Sequence, residues 1–184
     1  WIAAAWLTSQ RADSDESPAP IAWPRGILLW MGVLTALCMV AEGSMYDWSA
    51  LFVHQELNTD AATGALGFAA FSAAMAAGRL FGDRARERLS PDALMRASGV
   101  LATVGMALAL TVGQPWAALL GFMLVGLGLA NVVPVMFAAA AQVPGVAPAH
   151  GVAAVSSVGY LGFMVGPPLI GALARWSSLT SALW

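Results

Sequence analysis

The sequence predicts an all-α membrane protein that crosses the bilayer several times, and three observations carry the prediction. Hydrophobic residues make up 59% of the chain and charged residues only 10%, a balance that belongs to membrane proteins. The charges collect in short stretches between long apolar runs: residues 93–114 hold one, Arg96, and residues 116–150 hold none. A soluble helical domain would spread charge along the outer face of every helix. Finally, five apolar runs reach the roughly 20 residues that a helix needs to cross a hydrocarbon core of about 30 Å.

In chain order, WIAAAWL at 1–7 reads as the end of a span whose beginning lies upstream, so the chain reads as a piece of a longer protein. With no start methionine and no charged leading region, a signal peptide is not the expected reading of this end. Residues 8–25, containing SQRADSDESPAP, are polar, charged and proline-bearing, as befits a linker. The first full run, 27–53, would be on the order of 40 Å long as a continuous helix, so it must tilt, project or break. Gly43-Ser44 is the natural break point. Runs at 63–81 and 93–112 follow; beyond Arg96 the latter holds nothing more polar than Ser98, Thr103 and Thr111. In the fourth run, 116–141, Pro134 clashes with the carbonyl of Ala130 and predicts a kink beside Asn131. The fifth run is 151–174, and residues 178–184 begin another.

Arginine placement sets the expected orientation. Arg11 and Arg25 precede the first full run, Arg84, Arg86 and Arg88 lie between the second and third, and Arg175 alone falls on the other side. The first two groups are therefore cytoplasmic. All eight basic residues are arginine, which, with the abundance of alanine and glycine, reads as a high-GC bacterial gene and a protein of the bacterial inner membrane.

An offset of 89 residues superposes Glu42 on Asn131, Gly32 on Gly121 and Gly82 on Gly171. The spans so related run in opposite directions, the arrangement of three-helix units repeated with inverted topology.

Several functions are excluded. The chain has no lysine and hence no phosphate-binding Gly-rich lysine loop. His54 and His150 have no partners at metal-ligand spacing, and no cofactor is expected. A net charge of −2 argues against a nucleic-acid surface. The runs contain no Ser-His, His-Glu-rich or paired-Asp arrangement, so an intramembrane enzyme is not expected. Cys38, the only cysteine, reads as a small buried hydrophobe.

Glu42 is the leading candidate site residue. It sits about 22 Å along its helix, within the hydrocarbon zone, where a carboxylate is costly unless paired, hydrated or protonated. Met39 and Tyr46 lie one turn away on the same face, with Thr35 and Ser49 two turns away, forming a stripe suited to a water-filled cavity. Glu42 is expected either to exchange a proton or bind a polar substrate, or to be locked to a neighbouring helix by hydrogen bonds. Asp47, about 140° around the helix from Glu42, belongs at the outer boundary with Trp48 or, alternatively, in the cavity. Asn131 either hydrogen-bonds a substrate or satisfies carbonyls freed by Pro134. Tyr160 either reaches a ligand or is satisfied by another helix. Small residues at Ala70, Ala74, Gly78 and Gly82, and at Gly159, Gly162 and Gly166, form ridges for close helix packing. Arg79 is expected to snorkel and to pair with Asp83 one turn on.

These features resemble the major facilitator superfamily of secondary transporters, and specifically its C-terminal half. GRLFGDRARER, residues 78–88, is similar to the family's cytoplasmic motif, in a degenerate copy with Arg79 where the usual form has glycine. GFMVGPPLIG, residues 162–171 with Gly162, Gly166 and Pro167, resembles the family's Gly-Pro pattern; AEGSMYDWSALF resembles a helix of the sugar-permease branch. The resemblance implies one six-helix half of a 12-helix fold with 3+3 inverted repeats. Residues 1–7 would end helix 6, 8–25 would be the cytoplasmic linker, and 26–184 the C-terminal half, holding helices 7 to 11 and the start of helix 12. It further implies that helices 7 and 10, with Glu42 and Asn131, line a central cavity, and that Gly78, Arg79, Gly82, Asp83 and Arg84 form a charge network closing the cytoplasmic side. The implied activity is alternating-access movement of a small molecule, coupled to protons through Glu42, by this half rocking against an N-terminal half of the same chain. Efflux of amphipathic compounds, or a non-transporting receptor or scaffold, are the alternatives.

Overall fold

A computed structural model describes residues 25–184. The expected span at 1–7 and all but the last residue of the 8–25 linker lie outside the described residues. Among the described residues the chain is helical nearly throughout: α1 (Ile27–Leu51), α2 (Ala61–Leu80), α3 (Gly82–Arg88), α4 (Pro91–Thr111), α5 (Pro115–Leu129), α6 (Val132–Ala140), α7 (Pro148–Trp176) and α8 (Leu179–Leu183). A π-helical turn, Phe52–Glu56, extends α1. Five stretches, Ile27–Glu56, Ala61–Leu80, Pro91–Thr111, Pro115–Ala140 and Pro148–Trp176, are long and apolar enough to cross a membrane. They correspond to the five apolar runs read from the sequence.

Local chemistry fixes the helix ends. The Asp60 carboxylate accepts the Thr63 N–H at 2.7 Å and caps α2, and Ser90 accepts the Ala93 N–H to cap α4, with Pro91 in its first turn. Gly113, at φ +68°, supplies the left-handed residue after α4 that side-chain-bearing residues adopt at a cost, and Pro115 then opens α5.

Three expectations need correction. Gly43-Ser44 is not a break: α1 passes through both without interruption, and the irregularity comes later, in the π turn. Proline chemistry on the neighbouring helix explains Gly43. Pro167 has no N–H to give to the carbonyl of Phe163, and that carbonyl lies 3.2 Å from where a Cβ on Gly43 would sit. The glycine thus makes room for a proline-freed carbonyl. Secondly, residues 82–88, to which the sequence reading assigned no helix, form α3. Thirdly, Arg79 does not pair with Asp83; Asp83 forms its ion pair with Arg86 instead. The kink expected near Pro134 is present as an interruption at Ala130–Asn131, between α5 and α6.

The helices pack in two groups. α1 lies along α7, where Gly162 and Gly166 present bare backbone: a Cβ on Gly162 would sit 2.5 Å from the Ala36 carbonyl oxygen, and one on Gly166 2.9 Å from the Val40 Cα. α5 lies between α2 and α4. Phe52, Phe71, Phe122 and Met45 fill the space where the groups meet, all but inaccessible, with the Phe52 and Phe122 rings edge to face at 5.9 Å. On α1, Ile27, Trp30, Leu34 and Leu37 form one exposed stripe while Met31, Thr35, Met39, Glu42 and Met45 face inward. An apolar outer stripe with a buried carboxylate behind it is a soluble helix turned inside out, as lipid solvation requires.

Candidate functional site

α1 carries Glu42 to the middle of the molecule, where the residue is only 6% exposed. A carboxylate so placed needs compensation, and it comes from another helix. Arg79 Nη2, from the last turn of α2, donates to Glu42 Oε1 at 2.9 Å. The Tyr46 hydroxyl, one turn further along α1, donates to the same oxygen at 3.3 Å. The two partners are unequally covered: the Arg79 side chain is 48% exposed and that of Glu42 8%. The acid is therefore the covered partner and the guanidinium the accessible one.

Both residues line a cavity of about 650 Å³. Met39, Glu42 and Tyr46 of α1, Arg79 of α2, Val133, Pro134 and Phe137 of α6, and Tyr160 and Phe163 of α7 line it. The groups able to titrate around Glu42 are Arg79 from α2, Tyr46 and Cys38 from its own helix and Tyr160 from α7; the α6 wall is apolar. The Tyr46 ring lies against Phe71 at 5.4 Å and Phe163 at 6.3 Å, which fixes its hydroxyl over the carboxylate. One wall is thus a charged pair with a phenol and the others are aromatic and aliphatic.

The structure brings together Glu42, Tyr46, Arg79 and Tyr160 of the residues singled out from the sequence. Thr35 and Ser49 do not join them: both are wholly buried, Thr35 bonded to the Met31 carbonyl within its own helix. The stripe expected at two turns from Glu42 is therefore packed, because α7 and α2 cover those positions. Asp47 is exposed and away from the cavity, while Trp48 beside it donates Nε1–H to the Pro167 carbonyl at 3.2 Å. Asn131 is 8% exposed, does not line the cavity, and donates Nδ2–H to the Gly78 carbonyl at 3.2 Å. Gly82 faces this asparagine and Gly78 faces its neighbour Ala130, and Arg84 lies over the Phe81 ring at 5.8 Å.

Sequence reasoning missed the Glu42–Arg79 pair, although a signal existed: an unpaired intramembrane acid demands a cation, and Arg79 lies one residue inside the end of its span. The apolar lining of Met39, Val133, Phe137 and Phe163 carries no such signal. Glu56 was also missed. Its carboxylate accepts the Leu179 N–H and the Thr180 hydroxyl, each at 3.0 Å, tying the end of the first span to α8.

Among the described residues, five membrane-length helices, four of which line an open cavity walled in part by an ion pair, define a multi-pass helical membrane protein. The sequence model of the Major Facilitator Superfamily matches residues 32–184. The chain belongs to that superfamily, a family of transporters and not of enzymes. It is 42% identical over 156 residues to the membrane protein MosC of Rhizobium meliloti, covering 85% of this chain and 38% of the relative. It is 37% identical over 174 residues to an uncharacterized MFS-type transporter of Yersinia pestis, covering 94% and 45%. A third relative, the uncharacterized transporter y4wD of Sinorhizobium fredii, is 32% identical over 157 residues, covering 85% and 41%. The chain thus spans less than half the length of these relatives. No solved structure matches it.

Proposed function

We propose that this chain is the C-terminal six-helix half of a secondary transporter of a bacterial inner membrane, moving a small molecule by alternating access through the cavity at Glu42. The observation that carries the reading is the Glu42–Arg79 pair: a nearly buried carboxylate and a half-exposed guanidinium, on different spans, at the wall of a cavity of about 650 Å³.

Helix packing supports the inverted 3+3 repeat. Under the 89-residue offset α1 corresponds to α5 and α6, and α2 to α7. The contact of α1 with α7 then corresponds to that of α5 with α2, and both are among the most extensive interfaces in the molecule. A packing pattern that returns to itself when the units are exchanged is what pseudo-twofold repeats produce.

Proton coupling follows from the shared oxygen. Glu42 Oε1 holds both Arg79 and Tyr46, so a proton on Glu42 removes the charge that retains Arg79 and frees the guanidinium for the cavity. Loss of the proton draws it back. Either change alters the wall on which a ligand rests, which gives proton and ligand a differential effect on the same site.

As to substrate, Phe137, Tyr160, Phe163 and Met39 outweigh the polar groups of the lining. That favours amphipathic compounds, with efflux as the direction, over sugars. The test is flux into vesicles holding the full-length protein. Saturable accumulation driven by a proton gradient, abolished by Glu42→Gln, is the expected result. Gradient-independent binding without accumulation would instead mark a receptor or scaffold, and unchanged pH-dependent flux in Glu42→Gln would remove Glu42 from the mechanism.

A further inference from the structure

We propose that Asn131 is a positioning residue for Arg79: it clasps the break in the fourth span to the turn of α2 that carries the arginine, and does not itself meet the ligand. The inference rests on reading the Glu42–Arg79 pair as the working centre.

Asn131 stands in the gap between α5 and α6. Its side chain turns away from the cavity and donates to the carbonyl of Gly78. That carbonyl belongs to the last turn of α2, whose terminal carbonyls have no intrahelical donor of their own. The other end of the amide is received as closely, since a Cβ on Gly82 would collide with Asn131 Oδ1. Ala130, the other residue of the gap, lies with its Cβ 2.6 Å from where a Cβ on Gly78 would sit. Gly78 and Gly82 are therefore a two-point seat, one helical turn apart, for the break in the fourth span. Arg79 follows Gly78 directly and reaches to Glu42, while Val133, Pro134 and Phe137, just beyond the break, form a cavity wall. One amide joins the wall-forming helix to the turn that aims the guanidinium, so the two move together. The glycines flanking Arg79 thereby gain a role that packing of α2 alone does not require.

The test reads Glu42 directly in the full-length protein, by pH-dependent infrared difference spectra in which Glu42→Gln identifies the Glu42 carboxyl band. Asn131→Ala and Asn131→Leu, the second keeping the bulk but losing the donor, should each move the titration midpoint of that band in the same direction as Arg79→Gln and by a comparable amount. Gly82→Ala should do likewise, and adding it to Asn131→Ala should change little, because the collision is with Asn131 itself. A Glu42 band that stays at its wild-type midpoint in Gly82→Ala and in whichever Asn131 variant folds would overturn the proposal. So would a changed KM for transport with an unmoved band, since that marks Asn131 as a ligand contact. The spectra need no transport, so a failure of the transporter reading would appear in the flux assay while the band shifts remained.

Discussion

At the scale of single residues, the molecule is organised around a carboxylate that cannot stand alone. Arg79→Gln leaves Glu42 with only the Tyr46 hydroxyl in a site 6% exposed, and a nearly buried charge without its counter-ion is destabilising. Because the Arg79 side chain is half exposed, solvent screens part of the pair, and its coupling should fall near the low end of measured values, roughly 1 kcal/mol. Thermal unfolding in detergent should therefore show Arg79→Gln losing stability and the Glu42→Gln/Arg79→Gln double variant recovering part of it. Strict additivity of the two losses would argue that the residues do not sense each other. Outside the membrane, Asp60 offers a simpler test. The Thr63 N–H holds its carboxyl below the ordinary value. The sign follows: the cap's stabilisation is complete above the ordinary carboxylate range and is lost as pH falls through the lower folded value. The protection of the Thr63 amide, its exchange rate compared with the intrinsic rate at the same pH, should fall under acid conditions, and Asp60→Ala should abolish that fall; a wild-type response in the variant would place the cause elsewhere.

At the scale of elements, close approach governs which helices touch. Gly162 lies where any side chain would run into the Ala36 carbonyl, so Gly162→Val should force α1 and α7 apart at a cost of about 1–3 kcal/mol. Gly99, on an open face of α4 with nothing near it, is the control: Gly99→Ala should be neutral or stabilising by up to about 1 kcal/mol. An equal loss in Gly99→Ala would show that the cost does not come from the contact of α1 with α7. The spans themselves were legible because apolar length alone reports them, and the ridge residues Gly162 and Gly166 because small residues repeat at helical spacing. What escaped was relational. Gly43-Ser44 looked like a break because glycine and serine weaken an isolated helix, yet their effect here depends on Pro167 across the interface. The α3 helix escaped because seven residues rich in arginine carry no apolar period to read.

At the scale of the whole molecule, four of the five spans line a cavity whose polar wall no single span holds. Composition announced the membrane and the acid announced a site, but the partner of that acid, 37 positions along the chain, was set by how α2 crosses α1. Thr35 and Ser49, expected beside Glu42 in the cavity, were lost to neighbouring helices for the same reason. The proposed transport cycle needs Glu42 submerged in the membrane yet facing water within the cavity. Its most direct test is the reactivity of Glu42→Cys toward a water-soluble, membrane-impermeant thiol reagent, in full-length protein otherwise free of cysteine, with Asp47→Cys as the exposed reference. A wetted, membrane-embedded Glu42 gives a reaction clearly slower than at position 47, measurable from the aqueous phase and altered by bound substrate. Complete inertness, or a rate equal to that of the exposed reference with or without substrate, would contradict it.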